Sequence, residues 1–287
     1  MSRRLRLFGL SWLSAFILLS CSPKLKTEFR QILPPLEASA KVIVVGMDYT
    51  AVVPDSSYVG SVKMTDAGMS VGCSYYENVL RLKEMSRNAG ANLIIISQHE
   101  PADKWSSCDR VWANIYFVED PYHYEKEIDW SDSRRLTWED FKGSVPGSRD
   151  LRLAAETASE LEFQYRSGVF DSGLTLDVRC RFITEKSWVR PEAKSASVLK
   201  HEQLHFDITE LYARILRKEL EEADLTIRDQ AKAVQLFNTV SKQHNLRQKN
   251  YDKATEHGLN EISQSEWEAM ILMELSRLEA YKSESFN

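Results

Sequence analysis

The run His201-Glu202-Gln203-Leu204-His205-Phe206-Asp207-Ile208, inside the stretch 195–222, decides how the rest of this chain is read. Residues four apart on a helix share a face, so His201 and His205 can turn two imidazole nitrogens toward one metal ion, with Glu202 at its flank. This is the H-E-x-x-H spacing of zinc hydrolases, in which the glutamate acts as general base. With 6 His among 287 residues, such a run arises by chance in about one shuffled sequence per hundred, so its context has to agree. It does: Leu204, Ile208, Leu211, Tyr212, Ile215 and Leu216 form an apolar stripe at helical spacing that needs a core behind it. Pro191 supplies a turn ahead of the helix, and Ser195 or Ser197 stands where a helix cap is wanted. The plainer alternative is a core helix with two partly satisfied histidines; the spacing and the intervening glutamate favour the metal.

At the start of the chain, Arg3, Arg4 and Arg6 precede an apolar run, 7–19, too short to span a bilayer as a helix and of the length of a secretory signal. Its end, Leu18-Leu19-Ser20-Cys21, resembles the lipobox of bacterial lipoproteins. That resemblance implies a signal peptide over 1–20, cleavage before Cys21, and lipidation of Cys21. Residues 21–40, with Pro23, Lys24, Lys26, Pro34 and Pro35, read as a tether. The expected location is the cell envelope, membrane-anchored, on the outer membrane or facing the periplasm. The formal charge is −5, and losing three arginines with the leader makes it more negative. With no basic face, nucleic acid is not an expected partner.

Residues 41–128 read as a small α/β domain and 129–287 as a second domain. In the first, 41–45, 49–53, 58–64, 92–97 and 111–118 are strand-like, and 77–88 is an amphipathic helix stopped by Gly90. The chain holds 4 Cys and no C-x-x-C pair, which argues against a cysteine zinc site. Cys73 precedes the helix and Cys108 the last strand, positions from which one disulfide can staple the two, leaving Cys180 as a buried thiol. His99 and His123 are lone loop histidines, expected at the surface. In the second domain, 161–165 and 174–182 alternate as two half-buried antiparallel strands joined through Gly168 and Gly173. Helices are expected at 227–246, with His244 a lone surface histidine, and at 264–281. Asp207 lies roughly 200° round the helix from His205, and Glu210 is badly placed against His201; both read as solvated or supporting carboxylates.

Four separated blocks now come together: Leu136-Thr137-Trp138-Glu139-Asp140-Phe141-Lys142-Gly143; Lys186-Ser187-Trp188-Val189; the His201 to Ile208 run; and Tyr251, Thr255, His257-Gly258, Gln264 and Trp267. In this order they resemble a bacterial family described as secreted zinc-dependent proteases, over about 130–281. The resemblance and the residues together imply an α+β chain: a zincin-like C-terminal domain with a short antiparallel sheet and its motif on a helix, preceded by the small α/β domain. The expected cofactor is a zinc ion on His201 and His205, with Glu202 as base and a peptide or protein as substrate. A third ligand must come from elsewhere in the chain. Glu256, His257 and Glu261 compete for that place, and Gly258 together with the match of Thr255-Glu256-His257-Gly258 to the family's last block favours His257. A second function class stays open: a non-catalytic envelope lipoprotein that binds a protein partner around a structural or vestigial zinc.

Overall fold

The computed structural model describes residues 23–283 apart from 48, 50–51, 68–72, 104–105, 107, 148–152 and 168–173. The leader, Cys21, and the expected turn glycines Gly168 and Gly173 lie outside the described residues.

In the first half, β1 (Lys24–Phe29), β2 (Ile43–Val45), β3 (Tyr58–Thr65), β4 (Leu93–Glu100) and β5 (Arg110–Tyr116) form one sheet in the spatial order β1-β3-β5-β4-β2, with α1 (Tyr75–Asn88) packed against it. β4 runs parallel to β2 and antiparallel to β5. Its Ile94 and Ile96 enter one core with Val62, Leu82 and Ala113, while Leu93 joins Ile43 and Val45 in another. Burial of both faces explains why this strand reads as a continuous apolar run instead of alternating. α1 starts at a capping box, with Ser74 Oγ accepting from the Glu77 amide and Glu77 Oε2 accepting from the Ser74 amide. The chain leaves the helix through Gly90 at φ +75°, where an added Cβ would lie 2.6 Å from the Pro34 carbonyl oxygen.

Two expectations change here. The described part of the 21–40 span is not a free tether: Lys24–Phe29 pairs antiparallel with β3, Leu36 donates its amide to Arg87 O, and Leu33 packs on the core. The lysines that resemble a linker's are those of an edge strand, where charge discourages pairing with another chain. Of the expected strand at 49–53, the described Tyr49, Val52 and Val53 are in no strand; Tyr49 and Val53 pack on the second core from a loop.

Cys73 and Cys108 are bonded, with Cα atoms 5.0 Å apart, so the bridge ties the start of α1 to the start of β5. Cys180 is free and buried, and burial pushes its thiol pKa up. With a sequence separation of 35, loss of the bridge is expected to lower unfolding free energy by about 3–4 kcal/mol in the chain-entropy picture. Urea unfolding of Cys73→Ser/Cys108→Ser beside the wild type measures it, and recovery of both cysteines as free thiols from exported protein would refute the pairing.

The second half contributes β6 (Glu127–Asp129), β7 (Ala155–Glu156), β8 (Ser159–Ser167), β9 (Leu174–Ile183) and β10 (Trp188–Val189), then α2 (Ala196–Glu222), α3 (Gln230–Thr255) and α4 (Glu261–Arg277). β6, β9 and β8 form an antiparallel sheet, and β7 pairs with β10. Val178, Cys180 and Phe182 of β9 belong to the core that takes Phe206 and Ile208 of α2. The other face of β9 meets α1: the Arg179 guanidinium lies 4.6 Å from the Tyr76 ring and pairs with Asp129. Buried Arg214 ties α2 to the end of α4, donating to Glu210 Oε1, to the Leu275 carbonyl and to Glu279 Oε2. The fold is α+β with four α-helices among the described residues, and none of these helices is long and apolar enough to cross a membrane.

Candidate metal centre

α2 begins with Ser195 Oγ accepting from the Val198 amide, which sets the phase of the helix and places His201 and His205 on one face. Their Nε2 atoms stand 3.2 Å apart. Each Nδ1 faces a glutamine oxygen: His201 Nδ1 is 3.1 Å from Gln264 Oε1, and His205 Nδ1 is 2.7 Å from Gln248 Oε1. An amide oxygen only accepts, so each Nδ1 carries the hydrogen and each Nε2 keeps its lone pair for a ligand. The amides are themselves held. Tyr251 donates its hydroxyl to Gln264 Oε1 at 2.7 Å, and Gln264 Nε2 donates to Glu268. Gln248 Nε2 donates to the His205 carbonyl at 2.9 Å and to His244 Nε2 at 3.0 Å.

The third group is Asp252, on the last turn of α3, with Oδ1 3.1 Å from His205 Nε2 and 3.4 Å from His201 Nε2. Together His201, His205 and Asp252 form a group that could hold a metal ion. A tetrahedral zinc with ligand distances of about 2.0–2.1 Å has edges of about 3.3–3.4 Å, close to the three separations seen here. Two imidazole lone pairs and a carboxylate converging on one point repel one another unless a cation or a proton lies between them. The electrostatics show this demand: burial raises the Asp252 carboxyl, but the hydrogen bonds and charges of His201 and His205 outweigh it and hold it well below the usual carboxylate range. For His205, burial lowers the imidazole pKa, and Asp252 and Glu202 more than reverse that. Glu202 is buried, and its Oε2 has no hydrogen-bond partner. Such an orphaned oxygen fits a base waiting for a water molecule better than it fits a structural carboxylate.

His257 is brought to this centre but is not in the three-residue group. Its Nδ1 is 3.5 Å from Asp252 Oδ1 and its side chain is 58 % exposed. Glu256 and Glu261 are exposed. The physical reason is register: Gln248, Tyr251, Asp252 and Thr255 lie on one face of α3, turned toward α2, whereas His257 comes after that helix has ended. Asp252 and Gln248 are the functional residues the sequence reading missed. A polar stripe at helical spacing, His244, Gln248, Tyr251, Asp252 and Thr255, was the signal available for them.

The remaining histidines and carboxylates meet expectation only in part. His244 is 8 % exposed and not at the surface. Its Nε2 lies 3.0 Å from Thr209 Oγ1 and accepts from Gln248, and burial lowers its pKa to about 4, so it stays neutral and steers the amide that holds His205. His99 lies in β4 and pairs with Asp109 at 2.8 Å, while His123 is exposed. Asp207 and Glu210 are each 1 % exposed, so of the two expected roles they take the supporting one and not the solvated one. Asp207 accepts from Trp130 Nε1, Gln203 Nε2 and Arg135, and Glu210 accepts from Arg214 and Arg217. Both anchor α2 from behind.

Gln264→Leu should weaken metal binding by this group by about 10- to 100-fold, as losses of ligand-orienting partners do. A competitive titration against a chelator measures this, and an unchanged affinity would show that the amide does not orient His201.

Residues 180–258 match a bacterial family described as a protein of unknown function, DUF922. That span contains β9 from Cys180, all of α2, and the turn that carries His257 and Gly258. Comparison with curated proteins and with solved structures gives no match.

Proposed function

We propose that this protein is a zinc-dependent peptidase of the bacterial cell envelope, with a zincin-like C-terminal domain. Its zinc ligands in this reading are His201, His205 and Asp252, and its general base is Glu202. The observation that supports it most is the pair of histidines whose Nδ1 atoms are pinned by glutamines while both Nε2 atoms converge with Asp252, beside the unpartnered Glu202 oxygen. Zinc, when bound there, supplies a Lewis acid and lowers the pKa of a water toward about 7. Glu202 accepts a proton as the water oxygen bonds to the peptide carbonyl carbon, and returns it to the amine as the C–N bond breaks. Gln248 and Gln264 hold the imidazoles in the tautomer this requires. A structural site closed by protein ligands would have no use for an unpartnered carboxylate at that place.

The same reading anchors the chain at a membrane through lipidated Cys21, so Cys21→Ser should move it from the membrane to the soluble fraction. The central test is metal analysis of purified protein with a peptide-library assay before and after chelation. About one zinc per chain and hydrolysis that is lost with the metal and regained on adding zinc are expected. Stoichiometric zinc with no cleavage of any peptide would leave the non-catalytic lipoprotein as the better reading.

A further inference from the structure

The turn that closes α3 is more strained than a helix end requires. Many helices end with a single left-handed residue, most often glycine. Here Glu256 (φ 51°), His257 (φ 55°) and Gly258 (φ 85°) are left-handed in succession, and the first two carry side chains for which that conformation is uphill. The surroundings enforce it. The His257 amide donates to the Asp252 carbonyl at 2.9 Å, and Gly258 lies so close to the His201 ring that an added Cβ would sit 3.1 Å from its Cγ. Strain held in this way clusters at functional sites.

What the strain achieves is the position of one imidazole. His257 Nδ1 stands 3.5 Å from Asp252 Oδ1, and its side chain is more than half exposed. His201 and His205 have their Nδ1 atoms taken by Gln264 and Gln248. The His257 side chain, by contrast, has Asp252 as its neighbour and makes no hydrogen bond among the described residues. It is therefore an exposed imidazole, carried by a strained turn and standing beside the carboxylate of Asp252.

We propose that His257 binds the substrate: an imidazole N–H bonds to the carbonyl oxygen of the peptide under attack, and holds it more strongly as that oxygen gains negative charge. This rests on the peptidase reading above and adds a catalytic residue to it. No proton is transferred by His257.

The experiment compares wild type, His257→Ala and His257→Gln by zinc content, by kcat and KM on the best library peptide, and by affinity for acetohydroxamate, a small zinc-binding anion. In His257→Ala, zinc content stays at the wild-type level, kcat falls by about 10²- to 10³-fold with KM little changed, and acetohydroxamate binds about five- to tenfold more weakly. His257→Gln, which keeps an N–H donor, recovers part of both losses. Loss of zinc from His257→Ala would overturn the proposal by making the ring a ligand. Unchanged kcat and unchanged acetohydroxamate affinity would overturn it by making the ring a bystander. If wild type cleaves no peptide, the peptidase reading fails separately, and the acetohydroxamate comparison still decides whether His257 donates to an anion at this centre.

Discussion

Glu202→Gln should leave zinc at the wild-type level and lower peptide hydrolysis by about 10³-fold, within the range general-base removal produces. The substitution keeps the shape of the side chain and removes its capacity to take a proton. The structure gives reasons for expecting the rest of the centre to be indifferent to it. Glu202 is not in the His201–His205–Asp252 group, and its Oε2 has no hydrogen bond to lose. Its main-chain contact, the carbonyl that accepts from Thr157 Oγ1, does not depend on the side chain. An amide at that place does alter the field, because the Glu202 charge helps to raise the His205 pKa. The variant is therefore to be assayed with zinc content measured on the same sample. Equal rates for equal zinc would leave the mechanism without a base, and the non-catalytic reading would gain.

How much of this centre was legible depended on how local each relationship is. His201 and His205 are four residues apart, and a helix alone puts them on one face. Their helix was readable from the apolar stripe, and its start from Ser195, which does cap it. The antiparallel pair β8 and β9 was readable for the same reason, since alternation is a property of the strand itself. Asp252 is different: its relation to His205 exists only once α3 packs across α2, and nothing in the neighbourhood of residue 252 announces that packing. His244 failed for the same cause, because a lone histidine on a helix looks solvated until Thr209 and Gln248 close over it. Asp207 shows the converse. Its direction away from the metal followed from the helix period, but its burial among Trp130, Gln203 and Arg135 depended on a segment from far upstream. The edge strand β1 was hidden by composition, since lysine and proline mark linkers and sheet edges alike.

Asp252→Ala should abolish stoichiometric zinc binding, lowering affinity by about 10³-fold or more, because two histidines alone make a poor site for a metal that takes three protein ligands in hydrolytic centres. The competing ligands are close in sequence, which makes the comparison sharp: Glu256, His257 and Glu261 all lie within nine residues after Asp252. Geometry separates them. The Asp252 oxygen is 3.1 Å and 3.4 Å from the two Nε2 atoms. His257 is 3.5 Å from that oxygen and outside the three-residue group, while Glu256 and Glu261 face solvent. Zinc content of the four alanine variants, measured on folded protein after dialysis against a weak chelator, is expected to fall only for Asp252→Ala. Asp252→Asn refines the test, since it keeps an oxygen at the same place without the charge, and should bind zinc more weakly than wild type but better than alanine. Removal of Asp252 also leaves the two histidines without the carboxylate that compensates their proton. The metal-free variant should therefore have a lower His205 pKa than metal-free wild type, measurable by NMR titration of the imidazole. Zinc retained by Asp252→Ala and lost from His257→Ala would exchange the roles of the two residues, and would turn the strained turn after α3 from a substrate clamp into a ligand arm.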